Sequence, residues 1–289
     1  MNIFEKFGKL DRRWVFLLLA IVVVITLLVP FDTPIRVNPE TKSIYDFVES
    51  LKSGDLVQIA IDYDPNALAE LHPMAYAIME QVMAKDVKVI MTCLSQNGPA
   101  MAEGLMHDVI DSVKTYHHKE IKYGRDIVFL GYKPYYAIVI LGMGENYRLP
   151  FPTDYYNTPV DSIPIMYGVQ NYDQVKGVIC ISGSNIIDSW IQDGNGRYGV
   201  KVAIGTTGVM AADYYPYLKS NQIFGIMGGM LGAAEYETML GKVALGRNPG
   251  PAMEAMRVQV WAHMVIILFI VLGNIGFFIT KRQKERMSI

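Results

Sequence analysis

The apolar positions fall into three patterns along the chain. At each end they form an unbroken run. Residues 14–30, WVFLLLAIVVVITLLVP, and residues 258–280, VQVWAHMVIILFIVLGNIGFFIT, contain no Asp, Glu, Lys or Arg. The first run is near the lower length limit for crossing ~30 Å of hydrocarbon, and the second is long enough to cross with some tilt. A cleavable signal peptide is the competing reading of the first run. The Pro30-Phe31-Asp32-Thr33-Pro34 stretch that follows lacks a small-x-small cleavage site, which favours an uncleaved anchor. Trp14 and Trp261 stand near one end of each run, where interfacial anchors are common. His263 and Asn274 are polar groups within the second run. Such groups are either functional or hydrogen-bonded to a neighbouring helix for ~1 kcal/mol, and the second reading is preferred.

Between the runs, short continuous apolar stretches alternate with stretches of helical period. LVQIAID (56–62), VKVIMTCL (87–94), DIVFLGY (126–132), GVICIS (177–182) and VKVAIGT (200–206) read as buried strands. Helices are expected at 44–52, 67–84, 99–116, 134–144, 165–175 and 184–192. A long helical region is expected over 208–242, broken near Tyr215-Pro216. Pro134 has an allowed place in a first helical turn. This alternation predicts an α/β three-layer sandwich with a mostly parallel five-stranded sheet, Rossmann-like or flavodoxin-like, flanked by an N-terminal and a C-terminal transmembrane helix. Fold statistics give 2-1-3-4-5 as the expected strand order. Residues 145–164, rich in Pro, Tyr, Asn and Thr, read as an insertion over the sheet edge rather than a linker.

Charge orients this scheme. The 289 residues are 51% hydrophobic and 19% charged, with a net charge of -2. Residues 1–13 carry +2 and residues 281–289 carry +3, so residues 31–257 hold -7. An acidic middle domain argues against a nucleic-acid groove. Each tail has four basic residues close to its apolar run. Arg36, Lys42, Lys242, Arg247 and Arg257 stand on the other side. The positive-inside bias therefore places the tails 1–13 and 281–289 in the cytoplasm. It makes 14–30 and 258–280 spans of a cell membrane and 31–257 an extracytoplasmic domain.

Ligands in such sheets bind outside the carboxyl ends of the strands. There the chain reads Asp62-Tyr63-Asp64, Ser95-Gln96-Asn97, Gly131-Tyr132-Lys133, Ser182-Gly183-Ser184-Asn185 and Gly205-Thr206-Thr207-Gly208. Ser182, Gly183, Ser184, Thr206, Thr207 and Gly208 are the candidate ligand-binding residues, for an anion or a sugar phosphate held by backbone N–H groups. The same residues are ordinary helix caps, and both readings stay open. A Gly-x-Gly-x-x-Gly fingerprint and a Walker-type Gly-Lys-Ser/Thr are absent, so no cofactor is expected. Asp62, Asp64, Lys133 and Ser184 are the candidates for catalysis, with Lys133 neutralising a carboxylate across the sheet. No third carboxylate lies near the Asp62/Asp64 pair in sequence, and His72, His107, His117 and His118 lack ligand spacing, so no metal is expected. The His117-His118 pair reads as solvated. Ser182-Gly183-Ser184 is not a Gly-x-Ser-x-Gly elbow. Cys93 and Cys180 fall in buried, non-neighbouring strands and read as free core thiols.

Residues 221–237, NQIFGIMGGMLGAAEYE, place Gly225, Gly228, Gly229 and Gly232 at helical spacing. Each glycine costs a helix ~1 kcal/mol, so a smooth helical face is expected to be used. It can serve packing inside the domain, contact between subunits of a homo-oligomer, or contact with the bilayer. Glu235 and Glu237 read as its solvated or salt-bridged end. The chain also has 18 tyrosines, concentrated at 132–136, 155–156 and 214–217. Tyrosine is enriched in recognition surfaces, but these clusters can equally cover the sheet's own edge. The functional expectation is a membrane-anchored binding or assembly module, homo-oligomeric, with enzymatic activity left open. The alternatives are a membrane-tethered hydrolase or transferase acting on a small phosphorylated or lipid-linked substrate, and an accessory subunit of a transport or secretion complex with a membrane-protein partner.

Overall fold

A computed structural model describes residues 11–29, 34–244 and 250–287. Lys6, Lys9, Arg247 and the Pro30–Thr33 link lie outside the described residues, as do the side chains of Lys242, Arg282, Lys284 and Arg286. The chain divides into two compact units, one of residues 1–34 with 254–289 and one of residues 35–253.

In the first unit, helix α1 is Arg12–Leu28, opened by the Asp11 carboxylate accepting from Arg13 N–H at 3.0 Å. It has 17 residues. The last helix of the chain, α9, is Pro251–Met287. Its stretch Pro251–Ile279 is the one helix among the described residues long and apolar enough to cross a membrane. Phe16, Leu27 and Leu28 on α1 and Ile267, Phe277 and Phe278 on α9 are exposed. On α9 exposed apolar surface of this extent suits lipid better than water, whereas α1 falls short of that length, so the described residues hold one membrane-capable helix rather than the expected two.

The second unit is built on a six-stranded, wholly parallel sheet of order β3-β2-β1-β4-β5-β6. The strands are β1 (Leu56–Asp62), β2 (Lys88–Cys93), β3 (Ile127–Tyr132), β4 (Val178–Ser182), β5 (Val202–Thr206) and β6 (Gly225–Gly228). After α2 (Pro39–Ser50), the crossovers α3 (Leu68–Ala84) and α4 (Pro99–Tyr116) carry the chain outward from β1 to β3. The long connection through α5 (Tyr136–Glu145) then returns it to β4. Beyond β4 the chain winds the opposite way, through α6 (Ile186–Ser189) and α7 (Ala211–Lys219). Because parallel crossovers are right-handed, reversing the winding puts these helices on the opposite face. Helix α8 (Gly229–Ala244) follows β6 and packs against α3.

Every residue of β1, β4 and β5 is buried, as expected when both faces of a parallel sheet are covered. On one face Ala60, Ile90, Val128, Cys180, Ile204 and Ile226 pack beneath α5, α6 and the 147–175 segment. On the other, Gly205 lies against Met74 of α3, where an added Cβ would stand 3.2 Å from the Met74 sulfur.

The sheet thus has six strands rather than the expected five, and its order is the Rossmann-like one rather than 2-1-3-4-5. The additional strand corrects the long 208–242 helix. Helix α7 ends at Lys219 with Pro216 inside it, and Gly225–Gly228 is the edge strand. Ile226 enters one core and Met227 is buried as its neighbour in the strand, a period of two that the three- and four-residue glycine spacing conceals. The 165–175 helix is also absent. That region holds only short 3-10 turns, at Pro164–Met166 and Tyr172–Gln174, separated by Gly168 at φ +76°. Helix α5 forms as expected but begins at Tyr136. Pro134 precedes it, and Tyr135 takes a left-handed conformation at φ 62°.

The 145–164 segment does cover an edge. Tyr155 N–H donates to Phe129 O of β3 at 2.9 Å, and the Tyr155 and Phe129 rings lie 4.8 Å apart. Tyr155 and Tyr156 thus protect the outer side of β3, while their hydroxyls donate to Glu103 of α4 at 3.3 and 2.9 Å. An exposed sheet edge is an aggregation hazard, so these tyrosines have a structural use.

Candidate functional site

The sheet order reverses between β1 and β4, where crevices open at the carboxyl ends of doubly wound sheets. Asp62 ends β1 at this point, paired in register with Ser182 of β4. Its side chain is only 1% exposed. One carboxylate oxygen accepts from Leu94 N–H at 2.6 Å, and the other accepts from Trp190 Nε1–H at 3.2 Å and lies 3.8 Å from Cys180 Sγ. Loss of solvent pushes Asp62 up from 3.8 to about 7, against the opposing pull of the Leu94, Trp190 and Cys180 hydrogen bonds. The neighbouring carboxylate raises the Cys180 thiol further, after burial itself.

These contacts join two segments distant in sequence. Leu94 follows β2. Trp190 opens the π turn Trp190–Asn195 that continues α6, a local widening often found at functional sites. An open cleft of about 500 Å³ lies between the same two segments and the loop after β3. Leu94 and Ile186 give it apolar surface, Tyr132, Tyr135 and Tyr136 aromatic surface, and Ser95, Gln96, Ser184 and Asn185 polar groups. No charged side chain lines it.

The candidate residues separate around this cleft. Ser184 lines it. Ser182 is buried, donates through Oγ to Asp62 O at 2.9 Å and accepts from Ser184 N–H at 3.1 Å, so it closes the turn after β4. A Cβ on Gly183 would stand 3.2 Å from Ala67 Cβ, so Gly183 lets that turn pack against the segment leading into α3. Thr206 is buried, and its hydroxyl has no partner among the described residues. Thr207 O accepts from Met210 and Ala211 N–H at 3.1 Å each and opens α7, and Gly208 N–H donates to Glu70 at 2.8 Å. These three residues behave as caps and packing groups and are not among the cleft's lining residues.

Asp62, Asp64, Lys133 and Ser184 do not form a constellation. Asp64 accepts from Ser95 Oγ, whereas Asp62 is turned inward to Leu94 and Trp190. Among the described residues no ion pair joins Lys133 to either carboxylate, and no group of three His, Cys, Asp or Glu could hold a metal ion. Asp62 is thus out of reach of a ligand in the cleft and acts on the walls instead. His72 and His117 have partners within the domain. His72 Nδ1 lies 3.0 Å from the Tyr63 hydroxyl, and His117, read as solvated, is part-buried with Nε2 3.3 Å from the buried Glu80 carboxylate. Cys93 and Cys180 are buried free thiols on β2 and β4, with β1 between them.

The glycine strip is used inside the domain. A Cβ on Gly225 would collide with Ile44 of α2, one on Gly228 would stand 2.8 Å from Ala211 Cβ, one on Gly229 2.9 Å from Gly208, and one on Gly232 2.9 Å from Met227. Gly229 also needs its left-handed φ of +58° to turn β6 into α8. Glu235 and Glu237, expected at a solvated or salt-bridged helix end, are 1% and 2% exposed. Glu235 accepts from Asn38 Nδ2 at 2.7 Å and Thr41 Oγ1 at 2.5 Å, and Glu237 accepts from Ala252 and Met253 N–H at 3.1 and 2.9 Å.

Gln96, Asn185, Tyr135, Tyr136 and Trp190 are cleft or wall residues beyond the candidate set. Proximity to Ser95 and Ser184 and the tyrosine cluster at 132–136 were their sequence signals. Trp190 had none, because its role depends on a π turn. Compared with family models, curated proteins and solved structures, the chain matches none.

Proposed function

We propose that this protein is a membrane-anchored binding module whose α/β domain holds a ligand in the cleft at the strand reversal. The observation that carries the reading is the cleft itself, open and lined by tyrosine, hydroxyl and carboxamide groups. Its walls are tied from behind by one buried carboxylate. That is the make-up of a recognition site, an apolar body with a few positioned polar groups. Nothing in it resembles a nucleophile beside a general base, and of the residues proposed for a hydrolase or transferase only Ser184 lines it.

The membrane part of the proposal has both termini in the cytoplasm and the domain outside. Its support is the apolar Pro251–Ile279 helix, the exposed apolar side chains of α1 beyond Arg13 and the basic tails. Self-association belongs to the same proposal and rests on the restriction that two anchors place on a domain, since the four glycines are used within the chain. Light scattering of the detergent-purified protein tests it, and a monomer removes it.

The binding reading is tested by thermal unfolding of the full-length protein in detergent with the low-molecular-weight fraction of a cell extract. A ligand present at 100 times its Kd stabilises by about 2.7 kcal/mol, which for a domain this size raises Tm by roughly 5–10 °C. The rise is expected in the wild type and lost in Tyr135→Gly. An equal rise in both, or none in either, refutes the cleft as the binding site.

A further inference from the structure

We infer that the cleft is built for an uncharged polyhydroxylated ring, a glycoside or a nucleoside without its phosphate. This rests on the binding reading above and specifies its ligand.

The first argument is charge. The loops at the strand ends are those that would hold a phosphate, yet no Lys or Arg lines the cleft and neither does an acidic side chain. A charged ligand would lose its hydration there without an ionic partner, which is costly. Asp62 is closed off behind the wall, and Asp64 is engaged with Ser95. Electrostatics therefore selects a neutral ligand.

The second is hydrogen-bonding capacity. The Gln96 and Asn185 carboxamides and the Tyr132, Tyr135 and Tyr136 hydroxyls have no hydrogen-bonding partner among the described residues. Each carboxamide offers both donors and an acceptor, and each phenol can do either. Groups that both donate and accept on the protein match ligand groups that do the same, and a ring bearing several hydroxyls is the compact neutral form of that chemistry. The hydroxyls of Ser95 and Ser184 are already used, in bonds to Asp64 and Ser182, so the free set is the carboxamides and phenols.

The third is the strained Tyr135. It stands at φ 62° and is 78% exposed. A non-glycine residue in the left-handed region costs about 1–2 kcal/mol, and such residues cluster at ligand clamps. Here the conformation precedes α5 and brings Tyr135 and Tyr136 together at the cleft. Ring faces of this kind are suited to covering the apolar face of a sugar or the plane of a base. The volume of about 500 Å³ lies within the range of small-molecule sites.

The test is titration calorimetry of the full-length protein in a detergent without a sugar headgroup. The neutral probes are methyl glucoside, N-acetylglucosamine, adenosine and uridine. Each is paired with a phosphate ester: glucose 1-phosphate, N-acetylglucosamine 1-phosphate, AMP and UMP. The expected result is that one neutral probe binds, weakens about tenfold in Tyr135→Gly and in Asn185→Ala, and binds no more weakly than its ester. The glycoside and nucleoside arms identify which ring is taken. An ester that binds tenfold tighter than its neutral partner, with the same dependence on Tyr135, overturns the ligand class and leaves the cleft as the binding site. Silence of all eight probes also overturns the class, while the extract experiment still decides the site. Binding that ignores both substitutions refutes cleft and ligand class together.

Discussion

Asp62→Asn isolates the energetics of the carboxylate behind the cleft. A rise from 3.8 to about 7 on folding corresponds to ~4 kcal/mol of preference for the neutral form. The sign follows from proton counting. Between pH 4 and 7 the folded protein keeps a proton on Asp62 that the unfolded chain has released. Stability from this group is therefore fully present below pH 4, falls as pH rises, and is flat above about pH 7. From pH 5 to pH 8 the loss is about 2–3 kcal/mol, or roughly 5–10 °C in Tm for a domain this size. Asparagine has the same shape and no titration. Its oxygen can still accept from Leu94 N–H, but its amide then meets Trp190 Nε1–H as donor against donor. That fixed cost of about 1–3 kcal/mol applies at every pH and makes absolute stability a poor readout. The informative quantity is wild type minus variant, measured by thermal and urea unfolding of the full-length protein at half-unit steps from pH 5 to 8. The expected difference favours the wild type most at pH 5 and shrinks by about 2–3 kcal/mol by pH 8. A flat difference, or one growing with pH, would show that Asp62 is ionised and held by its donors, and would refute the reasoning.

Trp190→Phe removes a donor to the ionised carboxylate and should destabilise by about 1–3 kcal/mol at pH 8 and by less at pH 5, read from the same unfolding series. Gly225→Ala places a methyl group against Ile44 and within 3.0 Å of Glu40 O. It should cost about 1–3 kcal/mol by urea unfolding without changing the particle mass in light scattering, whereas a mass change at unaltered stability would restore the glycines to an intersubunit surface. Tyr135→Gly should leave Tm unchanged or slightly raised, because relief of the left-handed strain offsets the flexibility gained by the unfolded chain. A clear loss of Tm would mean the ring serves packing rather than recognition. Glu237→Ala leaves the N–H groups of Ala252 and Met253 without their acceptor and should destabilise by about 2–4 kcal/mol, with amide exchange at those two residues rising more than elsewhere.

The sequence revealed the first five strands because each is a short apolar run buried on both faces, and that signal needs no tertiary context. β6 escaped because it is only four residues long and two of them are glycine. It pairs with β5, and its glycines let Ile44 of α2 and Ala211 of α7 approach where a Cβ would collide, a condition set by residues elsewhere in the chain. Strand order was equally out of reach, since the reversal after β3 is decided by a 45-residue connection whose packing follows no local period. At the site, the residue types were legible and their directions were not. Asp62 and Asp64 share a strand end and the same charge, yet one turns in to Leu94 and Trp190 while the other meets Ser95 at the rim. A sequence shows that acidic residues stand there but not which of them a distant tryptophan will shield.

The acidic residues of α8 follow the same rule and explain how the domain is held at its entry and exit. From sequence, Glu235 and Glu237 are expected at a solvated or salt-bridged helix end, but both are buried, and a buried carboxylate is tolerated only where donors replace its hydration. Glu235 finds them in Asn38 and Thr41, at the start of α2. Glu237 finds them in the backbone of Ala252 and Met253, at the start of α9. One short stretch of one helix therefore fastens the first and last segments of the 35–253 unit. Burial holds Glu235 above the ordinary carboxylate range against its two hydrogen bonds, so this fastening is costly in isolation and stable only with both partners present. Fraying of either terminal segment would otherwise begin where the chain leaves the core, and α8 is the element through which both ends are held to the same sheet.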